Sequence, residues 1–382
     1  MTILGRISIR RRWWHSPTDG SVACLDDYLT PAGDHVSVGV REMLCRINNG
    51  KTSLRQAAAD LARTAQVKMS SEQLRQLVEA EGGRVLRVQD AGEIEPGISP
   101  ADCEVAGKPG TTRIDMGMDG VMIPIVTDAE KQKRRENVVR NRRQAERAGK
   151  KLRLLPPRPR GADQGFQEFK TIVFFNEANT KCHVLLSRRL RTQMGAIVKR
   201  EARRVRFQAV QRRIANVDGA SWIPPQLEAA ELRLHGLGLD FHHLSENVFR
   251  ARRQVYGEEN EVGRAWVAEL LHLVKHEGYE AAYESLQNWQ RDLRGNKRAD
   301  ATRLLNSVVD RRDMINSPEF RSRGWQYGSG PTEARCKTSA ARLKNSGQRW
   351  NSRSAEQVAA LSNLFANGQW ETYWASQKAA TP

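Results

Sequence analysis

Hydrophobic and polar positions along the chain change period several times, and each change marks a predicted element. From Ser37 to Gly82 the period is helical: Val38 to Ile47, Ser53 to Arg63 and Ser70 to Ala80 read as three amphipathic helices. Leu54, Ala58 and Leu61 share one face, as do Leu74, Leu77 and Val78. Ser53 with Gln56 and Ser70 with Gln73 form capping boxes, and Gly82 and Gly83 are expected to stop the third helix. Gly92 to Gly110 is rich in Gly, Pro and acids and reads as a linker. Runs of strand-like composition follow at Thr112 to Asp119, Val121 to Val126, Phe169 to Phe175 and His183 to Ser187. Arg189 to Arg213 is basic and helical in pattern. Ile214 and Val217 then predict a strand ending on Asp218, and a further strand ends on Asp240. Leu244 to about Ser317 has helical period throughout, with Trp266, Leu270 and Val274, then Leu286, Trp289 and Leu293, on successive faces. A glycine turn at Gly328 and Gly330 opens a helix bearing Glu333, expected to run through Arg342 to a stop at Gly347. A closing helix from Ser354 to Asn367 is packed down by Trp370, Tyr373 and Trp374.

At 382 residues, 39% of them hydrophobic and nine of them Trp, the chain can bury two or three cores. The net charge of +18, from 62 Lys and Arg against 44 Asp and Glu, points to a polyanionic partner, nucleic acid first. No apolar run reaches the roughly 20 residues of a membrane span, so a cytoplasmic, nucleoid-associated location without membrane contact is expected. The five cysteines stand singly, and the sequence predicts reduced thiols. His15 and Cys24 alone make no zinc site. Trp13 and Trp14 read as packing residues.

The charge is patterned. Asp128 to Arg160 is a basic helix with a Pro-rich exit, and Arg134, Arg135 and Arg140 on it are expected to meet phosphate. The two helices from Ser53 to Ala80 are compatible with a helix-turn-helix presenting Lys68, Gln73, Arg75 and Gln76 to a DNA groove, or with an ordinary three-helix bundle. Arg335, Lys337, Arg342 and Lys344 extend a basic surface after Glu333.

Within that basic setting stand three acids. Asp119 and Asp218 each precede a glycine after a strand, and Glu333 lies in the first turn of a helix, whose N-terminus favours its charged form. Carboxylates gathered at strand ends suit two Mg2+ or Mn2+ ions, which take oxygen ligands and support in-line attack on a phosphodiester. A single Asp-Gly is more often only a turn. Asp240 and His243 form a D-x-x-H step, more consistent with positioning than with direct metal binding.

The ordered motifs MDGVMIP, VDGASWI, LDFHHLSENV, PEFRSRG with YGSGPTEARCK, and RLKNSGQRW resemble those of bacterial insertion-sequence transposases of the Kra type, relatives of the Mutator-like DDE transposases, over roughly Val38 to Trp374. The resemblance implies an α/β, ribonuclease-H-like catalytic domain interrupted by an all-helical insertion, with an N-terminal helical DNA-binding region. It implies Asp119, Asp218 and Glu333 as the catalytic, metal-holding acids, with Asp240 and His243 as the (C/D)xxH element. The expected divisions are 1–91 DNA-binding, 92–110 linker, 111–244 the first part of the core with a basic insert at 128–160, 245–325 the helical insertion and 326–382 the rest of the core. The partners implied are terminal inverted repeats and target DNA as duplexes, bound by a dimer or larger assembly. A DNA-binding regulator without catalysis, and a nuclease that never joins ends, are the alternatives. Members of the family often carry the cysteine pairs of a zinc ribbon near the N-terminus, where only Cys24 stands here; a lost module or a truncated start is expected.

Overall fold

A computed structural model describes residues 14–18, 20–22, 36–50 and 53–379. Strands β1 (Trp14–Ser16) and β2 (Gly20–Val22) make an antiparallel hairpin. Trp14 is 58% exposed, while Trp13 and Cys24 lie outside the described residues. Helices α1 (Val38–Asn49), α2 (Leu54–Thr64) and α3 (Ser71–Ala91) follow, each opened by the serine whose hydroxyl accepts a backbone N–H of the first turn.

The third helix does not stop at Gly82 and Gly83. It continues for two more turns because those glycines face a neighbour instead of ending the element: a Cβ on Gly82 would lie 1.9 Å from the backbone oxygen of Gln357. The missing side chain lets α3 lie directly against a helix near the other end of the chain.

Strand β3 (Arg113–Pro124), helix α4 (Asp128–Arg147), strands β4 (Phe166–Asn176) and β5 (Cys182–Ser187), helix α5 (Met194–Arg204), strand β6 (Arg212–Val217), helix α6 (Ile223–Ala229) and strand β7 (Gly236–Leu239) come next. The five longer-range strands form one mixed sheet in the order β5-β4-β3-β6-β7. β4 runs antiparallel to both of its neighbours, β3 and β5, and β6 and β7 run parallel to β3. The protein is therefore α/β.

The two strands expected around Asp119 and Gly120 are one. β4 pairs with β3 from Ile114↔Asn176 to Pro124↔Phe166, so the ladder carries the chain straight through the Asp-Gly pair. Basic segment 189–213 is likewise only partly helical, its last residues entering β6.

Helices α7 (Phe241–Tyr256), α8 (Glu261–His276), α9 (Tyr279–Arg291) and α10 (Gly295–Val309) pack in a closed ring, and Trp266 stacks on Trp289 with centroids 4.0 Å apart inside it. The chain then returns through α11 (Ser317–Ser322), α12 (Gly330–Ala340), α13 (Ser352–Ala366) and α14 (Trp370–Ala379).

Two large cores cover the sheet. On one face Ile114, Met116, Met118, Ala215 and Val217 join α5 and the helical ring. On the other, Val121, Ile123 and Phe169 join α1 to α3, α13 and α14, so the N-terminal helices share a core with the sheet and the final helices. Segment 92–110 is packed down as well, with Ile94, Ile98, Cys103 and Val105 buried. Cys45, Cys103, Cys182 and Cys336 are buried free thiols. Among the described residues, no helix is long and apolar enough to cross a membrane.

Candidate active site

Alternation along β3 decides where Asp119 points. Met116 and Met118 belong to one core and Val121 and Ile123 to the other, so the odd-numbered Gly117 and Asp119 share the second face. On β6, Ala215 and Val217 face the first core, which turns Asp218 to the same side as Asp119. The parallel register ends at Met116↔Ala215. Three residues further along each chain stand Asp119, still on β3, and Asp218, one residue past the end of β6, where β6 has parted from β3 but still pairs with β7. Asp119 is thus in mid-strand with respect to β4 and beyond the last pair with respect to β6.

Helix α12 brings the third acid across this face. A Cβ on Gly117 would meet Thr332 Oγ1 at 1.8 Å, so only a glycine lets the helix lie so close to β3. Glu333 follows Thr332, and one turn on, the buried Cys336 donates its thiol to Asp119. Asp119, Glu333, Cys336, His243, Glu246, Lys337 and Lys344 line one open cavity of about 520 Å³.

Asp240 fixes the arrangement from beneath. Fully buried, it caps α7, accepting from the backbone N–H of His242 at 3.2 Å and of His243 at 3.3 Å. It also accepts from His243 Nδ1 at 2.5 Å, and from the backbone N–H and hydroxyl of Ser329 at 2.9 and 2.8 Å. One carboxylate therefore ties the end of β7, the start of α7 and the turn before α12. Ser329 passes the contact on to Glu333 Oε1 at 3.3 Å.

The electrostatics follow from this packing. Burial pushes the Asp119 carboxyl above its usual range against hydrogen bonds from Cys336 and Gly120, and the charge of Glu333 adds to the rise. Burial likewise raises Asp218, opposed by the Ala220 N–H at 2.8 Å and assisted by the charge of Asp119. Burial would raise Asp240 too, but the bonds from His243, Ser329 and His242 hold it well below the carboxylate range. The hydrogen bond to Asp240 lifts His243 to about 9.

Among the described residues, one group of three has donor atoms within 4.8 Å of one another and could hold a metal ion: Asp240, His243 and Glu333. Asp119 and Asp218 adjoin that group without belonging to it. Unneutralised carboxylates repel, and the charge of Asp119 adds to the cost of ionising Asp218.

The basic residues divide. Lys337, 3.4 Å from Glu333, and Lys344 line the cavity. Arg335 turns away to the Asn179 carbonyl at 3.5 Å. Arg342 is not on a surface at all: it is 3% exposed and binds Asn48 O at 3.0 Å, Asn48 Oδ1 at 2.9 Å and Gln348 Oε1 at 2.6 Å. A helix C-terminus leaves carbonyls without partners, and the guanidinium supplies donors to the end of α1.

On α3 the expected groove-facing residues are already bonded. Gln73 closes the capping box, Arg75 is held between Glu72 at 2.6 Å and Glu79 at 2.6 Å, and Gln76 donates to Glu72 at 3.0 Å; Lys68 is exposed. On α4, Arg134 is exposed, Arg135 donates to the Pro156 carbonyl at 2.6 Å, and Arg140 to Asn137 at 2.8 Å.

Three residues escaped the reading of the sequence. Glu246 continues Asp240 and His243 at three-residue steps, a spacing that puts all three on one helix face and was there to be read. Glu168 on β4 contributes negative charge near Asp218, and Cys336 touches Asp119; both depend on strand register and helix docking, which leave no local signal.

No family model matches the chain, and no curated protein sequence matches it. What fold and site together define is an α/β protein with a mixed five-stranded sheet and a carboxylate-lined cavity on one face.

Proposed function

We propose that this protein is a DDE-type transposase, which binds transposon ends and cuts and joins DNA with divalent metal. The observation that carries the reading is the placement of Asp119 on β3 and of Asp218 just past the end of the neighbouring parallel β6, near enough for the charge of Asp119 to act on Asp218, with Glu333 on a helix docked over β3 through Gly117. The sheet, with three antiparallel strands followed by two parallel ones, is compatible with a ribonuclease-H-like fold, and the helical ring between Asp218 and Glu333 with an insertion into it.

The donor set fits Mg2+ or Mn2+. Asp119 and Asp218 are half-buried carboxyls with raised pKa values, a state that a hard cation relieves. Asp240 is a poor ligand because both its oxygens already accept hydrogen bonds, so it is assigned to positioning. Two bound ions would activate the attacking water or 3'-hydroxyl and neutralise the leaving oxygen. The chain's own groups do the rest. Asp119, Asp218 and Glu333 hold the ions, and Asp240 orients His243 through Nδ1. Lys337 and Lys344 offer positive charge along the cavity to the phosphate backbone.

The test is a strand-transfer assay with labelled transposon ends and Mg2+. The parent cuts and joins, and Asp218→Asn binds the same ends but does neither. An Asp218→Asn variant as active as the parent would remove the catalytic assignment, and a parent that cuts without joining would make the protein a nuclease.

A further inference from the structure

Helix α4 and the chain that returns beside it form an arm without an apolar core. None of the helix's residues is buried. The returning chain is held by side chains gripping its backbone: Arg135 binds the Pro156 carbonyl, Arg142 the Arg153 carbonyl and Lys131 the Arg160 carbonyl. At the base, Arg158 grips both oxygens of Asp128 at 2.8 and 3.1 Å. In the midst of this polar construction Leu154 is 96% exposed, between Arg153 and the half-buried Leu155, with Leu152 exposed as well and Pro156 and Pro157 following. An exposed leucine set in a charged arm that buries nothing of its own fits a partner that meets the charge and covers the leucine together.

The charge of the arm says which partner. Lys133, Arg134, Arg143, Arg147, Lys150 and Lys151 leave it strongly basic beyond the residues used to hold it together. A polyanion that also offers apolar slots is duplex DNA, whose base steps accept a leucine wedge while the flanking cations meet phosphate. Place and reach agree. The base of the arm is tethered to the site, since Asp128 is nine residues beyond Asp119, at most about 30 Å of chain and so within the roughly 34 Å of one duplex turn, and Leu154 lies further out, beside Arg142. At the base of the arm Arg134 and Arg349 line a cleft of about 480 Å³, whose opposite wall is Arg75 of α3 with its ion-pair partners Glu72 and Glu79.

We propose that the arm clamps duplex DNA beside the cutting site and inserts Leu154 between base pairs, kinking the duplex. This rests on the reading of the protein as a DNA-joining enzyme, but its test reads binding and base stacking, not cutting. The full chain is titrated with a mixed-sequence duplex several turns long that carries 2-aminopurine at single positions, scanned in separate duplexes. With the parent, binding brightens the probe severalfold at one position. Leu154→Ala removes the brightening and weakens binding about tenfold, and since Leu154 has no packing to lose, folding is not in question. Lys150→Ala with Lys151→Ala keeps the brightening at saturation and lowers the salt slope by about two. Asp218→Asn binds and brightens as the parent does, so a failure of cutting alone leaves the clamp intact. The clamp is overturned if Leu154→Ala brightens the probe like the parent. It is equally overturned if Leu154→Ala converts a DNA-free dimer to monomer in sedimentation without altering the probe, which would make the arm a contact between copies. A parent that binds no duplex overturns both the clamp and the function it rests on.

Discussion

Asp240 illustrates how a single side chain can determine a site without taking part in its chemistry. Its oxygens satisfy the first turn of α7 and the turn before α12 together, so removing them frees His243 and lets Glu333 drift from Asp119. Asp240→Ala is expected to cost about 3 kcal/mol, combining a lost helix cap with the buried donors of Ser329 left unpaired. Denaturant unfolding checks this, and a loss under about 1 kcal/mol would mean that the bonds are dispensable. A second residue gives the fold a pH dependence. Burial alone would raise the Glu201 carboxyl, but His183 at 3.0 Å, Arg204 at 2.9 Å and Arg200 at 2.7 Å bring it down to about 2 from 4.5. A depressed carboxyl stabilises the fold above its unfolded value and loses that contribution as pH falls through its folded value. The loss should therefore run between about pH 4.5 and 2 and amount to roughly 3 kcal/mol. Melting curves across that window should fall steeply for the parent and more gently for Glu201→Gln. Parallel curves would contradict the assignment.

At the scale of elements, the sequence was most legible where a local rule operates. Capping serines, the helical ring after Leu244 and the strand ends before Asp218 and Asp240 all stand where period and caps put them. It was least legible at glycines. Gly82 and Gly120 carry the signature of a stop, yet one lies inside a helix and the other inside a strand, because what they accommodate is a neighbour distant in sequence. The D-x-x-H step could be read; that Arg342 is buried under α1, or that Glu168 comes near Asp218, could not. The close approach at Gly82 is testable. Gly82→Val places a side chain where the Gln357 backbone lies and should destabilise the protein by about 3 kcal/mol or more in denaturant unfolding. A neutral effect would mean that α3 and α13 are not in contact. Next to it, the fully buried Glu81 joins α1 and α14 to α3 through Arg41 at 2.9 Å and Tyr373 at 2.5 Å. Glu81→Gln, which takes the negative charge out of this buried junction, should cost about 3 kcal/mol in denaturant unfolding.

Across the whole molecule, the charge of +18 lies beside a site that is itself acidic. That contrast is what a phosphodiester enzyme requires, with cations to draw the backbone in and carboxylates where the reacting phosphate comes to rest. Binding to duplex DNA should accordingly weaken steeply with salt, a loss of about a thousandfold or more between 50 and 200 mM if six or more phosphates are neutralised. The N-terminal helices are part of this body, since their core runs into the sheet, so whatever α2 and α3 bind is held rigidly against the cavity.

The central claim is that Asp119, Asp218 and Glu333 act together as oxygen donors, and Mn2+ binding followed by electron paramagnetic resonance tests it most directly. The parent is expected to take up two ions, and Asp119→Asn, Asp218→Asn and Glu333→Gln are each expected to weaken that uptake by roughly tenfold or more. If all three variants bound Mn2+ as the parent does, or the parent bound none, the cavity would not be the metal centre of this protein.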